Sequence, residues 1–295
     1  MNMRHNPFPR IVLLLAALLS ALAVRAAEVP PMIVSSYTKA SAFIIEDGKV
    51  VWEHKMPGWC QEAWVLESGN VLLSGGNQVA EVKRDKQVVW KYEGPKNTPT
   101  EIHSCQPLPG ELTLIGEGGP NRLIEVDRQG AIKKEVKLKL QGDAHLQMRI
   151  VRKTPAGTYL IACPAETAVV ECNDQGVELR RVGVAQTKDQ GVTWKLAHSV
   201  EVLDSGNWLV GTSYGATLFE IDRQNKVLWR LTPQDVPELG FCYAAAVDRL
   251  PDGTIVVAAY NSKTPIFAVT RDKKVLWKYE GKEIGAPTNV KVLKR

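Results

Sequence analysis

Two histidines, an arginine and a glutamine stand at matching points of a sequence that repeats itself. Gln61, Arg149 and His198 each lie eight residues before a turn glycine, at Gly69, Gly157 and Gly206, and His103 lies seven before Gly110. The fifth copy offers Ala245, and Thr288 near the C-terminus holds the sixth place. An imidazole can act as nucleophile or base. A guanidinium can hold an anion through two parallel hydrogen bonds. Gathered in one cavity, these groups suit a sulfate ester, a phosphate or a carboxylate. His198, His103 and Arg149 are the candidates for catalysis. Gln61, His103, Arg149, His198 and Thr288 are the candidates for ligand binding. Polar side chains in such a place also serve simply to line a water-filled channel, and a slip of one residue in the register would turn each of them to the other face. His145 and His54 match no repeat position and read as surface or loop histidines. No carboxylate occupies the position equivalent to His103 and His198, so no metal site is expected.

These side chains depend on the elements that carry them. The turn glycines Gly69, Gly110, Gly157, Gly206 and Gly253 recur every 41 to 49 residues, each between two alternating apolar runs. That is the pattern of a β-hairpin, with glycine where the turn needs positive φ. A third run follows each pair, as in Val79–Val82, Leu123–Val126, Val169–Cys172, Leu218–Ile221 and Ile266–Val269. Four of the five carry a glutamate, Glu81, Glu125, Glu171 or Glu220, opposite their apolar residues. A polar turn and a fourth run come next. Three fourth runs end in Trp90, Trp229 or Trp277, and a related run ends in Trp52. Position-locked tryptophans read as packing between repeats.

Five complete four-strand units of this size are blades of a β-propeller. A sixth is split between the termini: Met32–Ser36, Ala42–Ile45 and Gly48–Trp52 supply three strands, and Val290–Leu293 supplies the missing first. The fold class is therefore all-β, a six-bladed propeller of four-stranded blades, closed by the C-terminal strand pairing into the N-terminal blade. Closure leaves no open sheet edge. Helix should be nearly absent.

The chain of 295 residues is 44% hydrophobic and 23% charged, ordinary for a globular protein. Residues 1–26 read as a signal peptide, with Arg4 and Arg10, an uncharged run from Ile11 to Val24, and small residues at Val24 and Ala26. An uncleaved anchor is the alternative, though the run is short for a membrane span. Residues 27–295 then form a single propeller domain, exported to the periplasm or beyond. The formal charge of +5 loses the positive charges of Arg4, Arg10 and Arg25, leaving +2, which gives no footprint for nucleic acid. No further membrane span and no oligomer is expected. Lys133–Lys139 reads as one charged, solvated strand face. The five cysteines lack metal-site spacing. Most read as small buried apolar residues, although Cys163 and Cys172 fall on neighbouring strands and could be bridged. Gly116–Gly119 reads as the turn between second and third strands of its blade, without the helix that a phosphate loop requires.

Two resemblances follow from these residues. Asp47–Trp52, Gln87–Tyr92 and Lys274–Tyr279 resemble the repeats of quinoprotein-type propellers, whose enzymes have eight blades and bind pyrroloquinoline quinone with calcium. The adjacent cysteine pair and the acidic calcium set of that group are not found here, so no cofactor is expected. His198–Asn207 is similar to segments of bacterial aryl-sulfate sulfotransferases, which are exported six-bladed propellers. That likeness implies a His198 that takes a sulfuryl group, helped by further His and Arg in the channel. Ser199 stands where that family usually has Asp. The expected function is a non-catalytic exported binding protein, for a small anionic ligand or a protein partner at the central channel. The alternative is a sulfotransferase- or hydrolase-like enzyme acting on an anionic ester.

Overall fold

The computed structural model describes residues 28–293. The expected signal segment lies outside the described residues. The inner face of each repeat begins with a short strand, and the other three follow outward in chain order. In the first blade Pro287–Val292 pairs with Met32–Ser36, which pairs with Ser41–Glu46 and then Lys49–Lys55. The second runs Glu62–Val65, Val71–Gly75, Gln78–Val82, Val88–Glu93. The third runs Glu101–Leu108, Leu112–Gly118, Arg122–Val126, Ile132–Lys137. The fourth has Val151–Lys153, Tyr159–Cys163, Ala168–Cys172 and Glu178–Gly183. The fifth has Ser199–Val202, Trp208–Gly211, Leu218–Ile221 and Val227–Leu231. The sixth has Ala246–Arg249, Ile255–Ala258, Ile266–Val269 and Val275–Tyr279. All pairings are antiparallel. Apart from strands, the described residues contain only three single-turn 3₁₀ segments.

The inner strands touch one another in cyclic order, and the C-terminal strand completes the circle between the second and sixth blades. The chain is thus a six-bladed β-propeller. Its core is distributed: six apolar clusters occupy the six junctions between neighbouring blades. Middle strands are buried on both faces, which is why they read as almost continuous apolar runs. Trp52, Trp90, Trp229 and Trp277 all belong to junction clusters. Two of them also hydrogen-bond the next blade, Trp52 Nε1 to the Arg84 carbonyl at 3.0 Å and Trp229 Nε1 to that of Arg271 at 2.6 Å.

The repeated glutamates have the same double role. Asn70 donates to Glu81, Asn207 to Glu220 and Thr158 to Glu171, each at 2.7 Å, tying the hairpin turn to the third strand. Arg128, Lys153 and Arg271 from the following blades reach Glu81, Glu125 and Glu220. Lys133–Lys137 keeps its charged face outward, with Val136 buried.

Two expectations need correction. Cys163 pairs with Ala168 and Cys172 with Tyr159, at opposite ends of their hairpin, too far apart in register for a disulfide. Both are buried thiols, and burial raises their pKa, that of Cys172 to about 11. Cys60 and Cys105 are likewise buried, whereas Cys242 is exposed. Gly116 and Gly118 lie within the second strand of their blade, and only Gly119, at φ +92°, is in the turn. His54 sits partly exposed on the outer strand Lys49–Lys55, stacked on Trp52.

Candidate functional site at the channel mouth

The register settles the equivalence of the repeat positions. The N–H groups of Gln61, Arg149, His198 and Ala245 donate to Ser74, Ala162, Gly211 and Ala258, the matching carbonyls of their second strands. His103 and Thr288 occupy the same place at irregularities of pairing, beside Ser104 and Asn289. In the third blade it is Gly110 that is displaced by one residue in its turn, and His103 keeps its station. The six positions lie within two residues of the starts of the six inner strands, at one end of the channel.

A cavity of about 240 Å³ opens there. Gln61, Arg149, His198 and Thr288 line it. Tyr37, Tyr214, Tyr243 and Tyr260 build an aromatic wall, with edge-on contacts between Tyr214 and Tyr243 at 4.5 Å and between Tyr37 and Tyr260 at 6.4 Å. His103 does not line it. It is fully buried, stacked on Trp59 at 5.6 Å, and held behind His145, which does face the cavity.

Each polar group has a defined state. His198 Nδ1 lies 2.5 Å from the Ala245 carbonyl, so it carries the proton and donates it. Nε2 is left as an acceptor 3.4 Å from the Gln61 amide. Burial first, and then the nearby Arg149 charge, lower the His198 pKa to about 3, so the ring is neutral at physiological pH. The same two causes bring His103 to about 3. Burial would raise Glu101, but hydrogen bonds from His103 at 3.0 Å and His145 at 2.7 Å outweigh it and hold the carboxyl at about 2.

Arg149 is the exception. Its residue is 8% exposed, and Nη1 donates to the carbonyls of His145 and Met148. Among the described residues no carboxylate lies within 4.0 Å of the guanidinium; Glu101 and Asp143 act on it only from farther away. Burial pushes its pKa down, the signature of a charge kept from water without a partner.

Deeper in the channel the opposite holds. Three residues further along each inner strand stand Trp64, Gln106, Arg152, Glu201, Asp248 and Lys291. Arg152 bridges Glu62 at 2.7 Å and Glu201 at 2.8 Å, Lys291 bridges Glu201 at 2.9 Å and Asp248 at 3.3 Å, and both cations lie over Trp64. A larger groove of about 480 Å³ reaches Arg152 and Glu201 from the other face, but these charges already neutralise each other. The buried guanidinium of Arg149, without a carboxylate within 4.0 Å among the described residues, lies at the tyrosine-lined mouth.

Sequence reasoning located Gln61, Arg149, His198 and Thr288, and missed the tyrosines, Glu101 and His145. A signal for two of them was present. In strand register Tyr37 and Tyr260 are equivalent, each two residues beyond the carbonyl position marked by Ser35 and Ala258. The deeper charged positions were also legible as a second copy of the first set, shifted by three.

No protein-family model matches the chain, and neither does any curated protein. Solved structures do resemble it. A protein of unknown function from Bacteroides caccae is 20% identical, with a TM-score of 0.78 over 89% of this chain and 98% of that one. A streptogramin B lyase is 11% identical, with a TM-score of 0.61 over 86% and 84%. The virginiamycin B lyase of Staphylococcus aureus, in an inactive form with quinupristin, is 12% identical, with a TM-score of 0.59 over 85% and 84%. At these identities the likeness is one of fold.

Proposed function

We propose that this chain is an exported propeller that binds a small aromatic or otherwise flat anion at the tyrosine-lined mouth, without turning it over. The observation that carries the reading is Arg149: a buried guanidinium lacking a carboxylate, facing a cavity walled by tyrosines. A ligand carboxylate, sulfate or phosphate would complete its charge, and a ring would lie against Tyr214, Tyr243 and Tyr260. The volume suits a monosubstituted benzene, since an apolar cavity of roughly 150 Å³ admits benzene itself. Export rests on the N-terminal signal pattern.

His198 favours the enzyme alternative in one respect. Its tautomer is fixed by Ala245, so Nε2 presents a lone pair as a nucleophile for a sulfuryl or phosphoryl group would. A pKa near 3 makes it a poor base at neutral pH.

Calorimetric titration with benzoate, phenyl phosphate and phenyl sulfate tests the binding reading. Wild type should bind at least one of them, and Arg149→Met should weaken that binding by about a hundredfold, the effect of losing a buried charge-assisted hydrogen bond. Equal affinity in both proteins, or none in wild type, refutes it. Release of phenol from the esters by wild type and not by His198→Ala would establish the enzyme instead.

A further inference from the structure

Glu101, His103 and His145 form a second constellation beside the mouth. Glu101 opens the inner strand of the third blade, His103 follows two residues on, and His145 comes from the connection between the third and fourth blades. Their candidate ligand atoms all lie within 4.8 Å of one another, the one such group of three among the described residues. The same carboxylate oxygen of Glu101 meets His103 Nε2 at 3.0 Å and His145 Nδ1 at 2.7 Å.

We infer that Glu101, His103 and His145 form a binding site for a divalent first-row transition ion of the Zn²⁺ type. Two imidazoles and one carboxylate are a donor set that such ions favour. Bonds of about 2.1 Å to a tetrahedral ion set neighbouring donors about 3.4 Å apart; here the carboxylate oxygen stands 3.0 and 2.7 Å from the two ring nitrogens, with all three atoms within 4.8 Å of one another. The rings meet edge to face, at 78° with centroids 5.3 Å apart, so they approach from different directions as a coordination shell demands.

Access and rigidity differ usefully among the three. His145 and Glu101 are partly exposed, with side chains 39% and 25% accessible, so a hydrated ion can reach them. His103 is buried and clamped by Trp59. Without the ion, both imidazoles donate N–H to the ionised carboxylate. Coordination moves each proton to the other ring nitrogen, giving the Nδ1–H form of His103 and the Nε2–H form of His145. Both rings remain neutral and no proton need leave. Positions on the ion not taken by these three residues would remain for water.

This inference does not rest on the anion reading, because the ion is held by these three side chains with no anion present. Full-length protein stripped with a chelator would be titrated with Zn²⁺ in competition with a chromophoric chelator, and with Co²⁺ by visible absorption. One ion per chain should bind. Glu101→Gln and His145→Ala, at partly exposed positions, should each weaken Zn²⁺ binding by about tenfold or more with thermal unfolding little changed. His54→Ala, on the outer strand of the first blade, should bind as wild type does. Absence of Zn²⁺ binding by wild type, or binding retained by both Glu101→Gln and His145→Ala, overturns the inference.

Discussion

Arg149 and His198 show how one position of a repeat acquires different physics in different blades. Arg149 is a charge removed from water without a carboxylate, an arrangement that costs stability. Arg149→Met should therefore raise the free energy of unfolding, by on the order of 1 kcal/mol, while weakening the proposed anion binding. A purely structural arginine, holding the carbonyls of His145 and Met148, would instead destabilise on removal, so chemical denaturation distinguishes the roles. His198 predicts a pH dependence. It takes up a proton near 6.5 when unfolded and only near 3 when folded, among Arg149, His103, Tyr243 and Gln61. The unfolded state binds more protons between those values, so the contribution is complete above about 6.5 and is lost as pH falls toward 3. His198→Gln should flatten the fall in unfolding free energy between pH 6.5 and pH 4, measured by urea titration.

At the level of elements, the site depends on loops that lie tightly over the ends of second strands. Gly75 ends such a strand, and a Cβ there would stand 1.7 Å from the Trp59 carbonyl oxygen. Gly118 plays the same part in the third blade, where a Cβ would meet the Ala144 carbonyl oxygen at 2.1 Å, next to His145. Backbone contacts this close leave no flexible side chain to yield. Gly75→Ala should lower unfolding free energy by about 1–3 kcal/mol, the usual cost of overpacking. It should also shift Trp59 away from His103, which a change in tryptophan emission would report. An unchanged denaturation midpoint would mean that this loop is not held down by the strand.

The whole molecule is stabilised by closure. Pro287–Val292 supplies the inner strand of the first blade, and Lys291 from that strand joins Glu201 of the fifth and Asp248 of the sixth. Removing Asn289 to Arg295 would open the sheet edge of Met32–Ser36 and leave Glu201 and Asp248 without their lysine. The expected outcome is loss of the single cooperative thermal transition, or a fall of several kcal/mol, a breach of one junction felt around the ring. A truncated chain that unfolds at the wild-type temperature would refute closure by this strand.

Blade number, strand order and the tryptophan junctions were legible because each repeat is a local alternation of apolar and polar residues, copied with small changes. Local patterns of this kind are fixed by neighbours in sequence, and five copies correct one another's ambiguities. The same alignment placed Gln61, Arg149, His198 and Thr288 together, since equivalent positions in a closed ring must converge. His103 was placed at the right station but not in the cavity, because Trp59 and His145 come between, and both belong to connections outside the repeat. The tertiary structure alone decided which charges are paired. Arg152 and Arg149 differ by three residues on one short run, yet one meets two carboxylates from other blades and the other meets none. Such partners are set by distances across the channel, which no periodicity within a strand encodes.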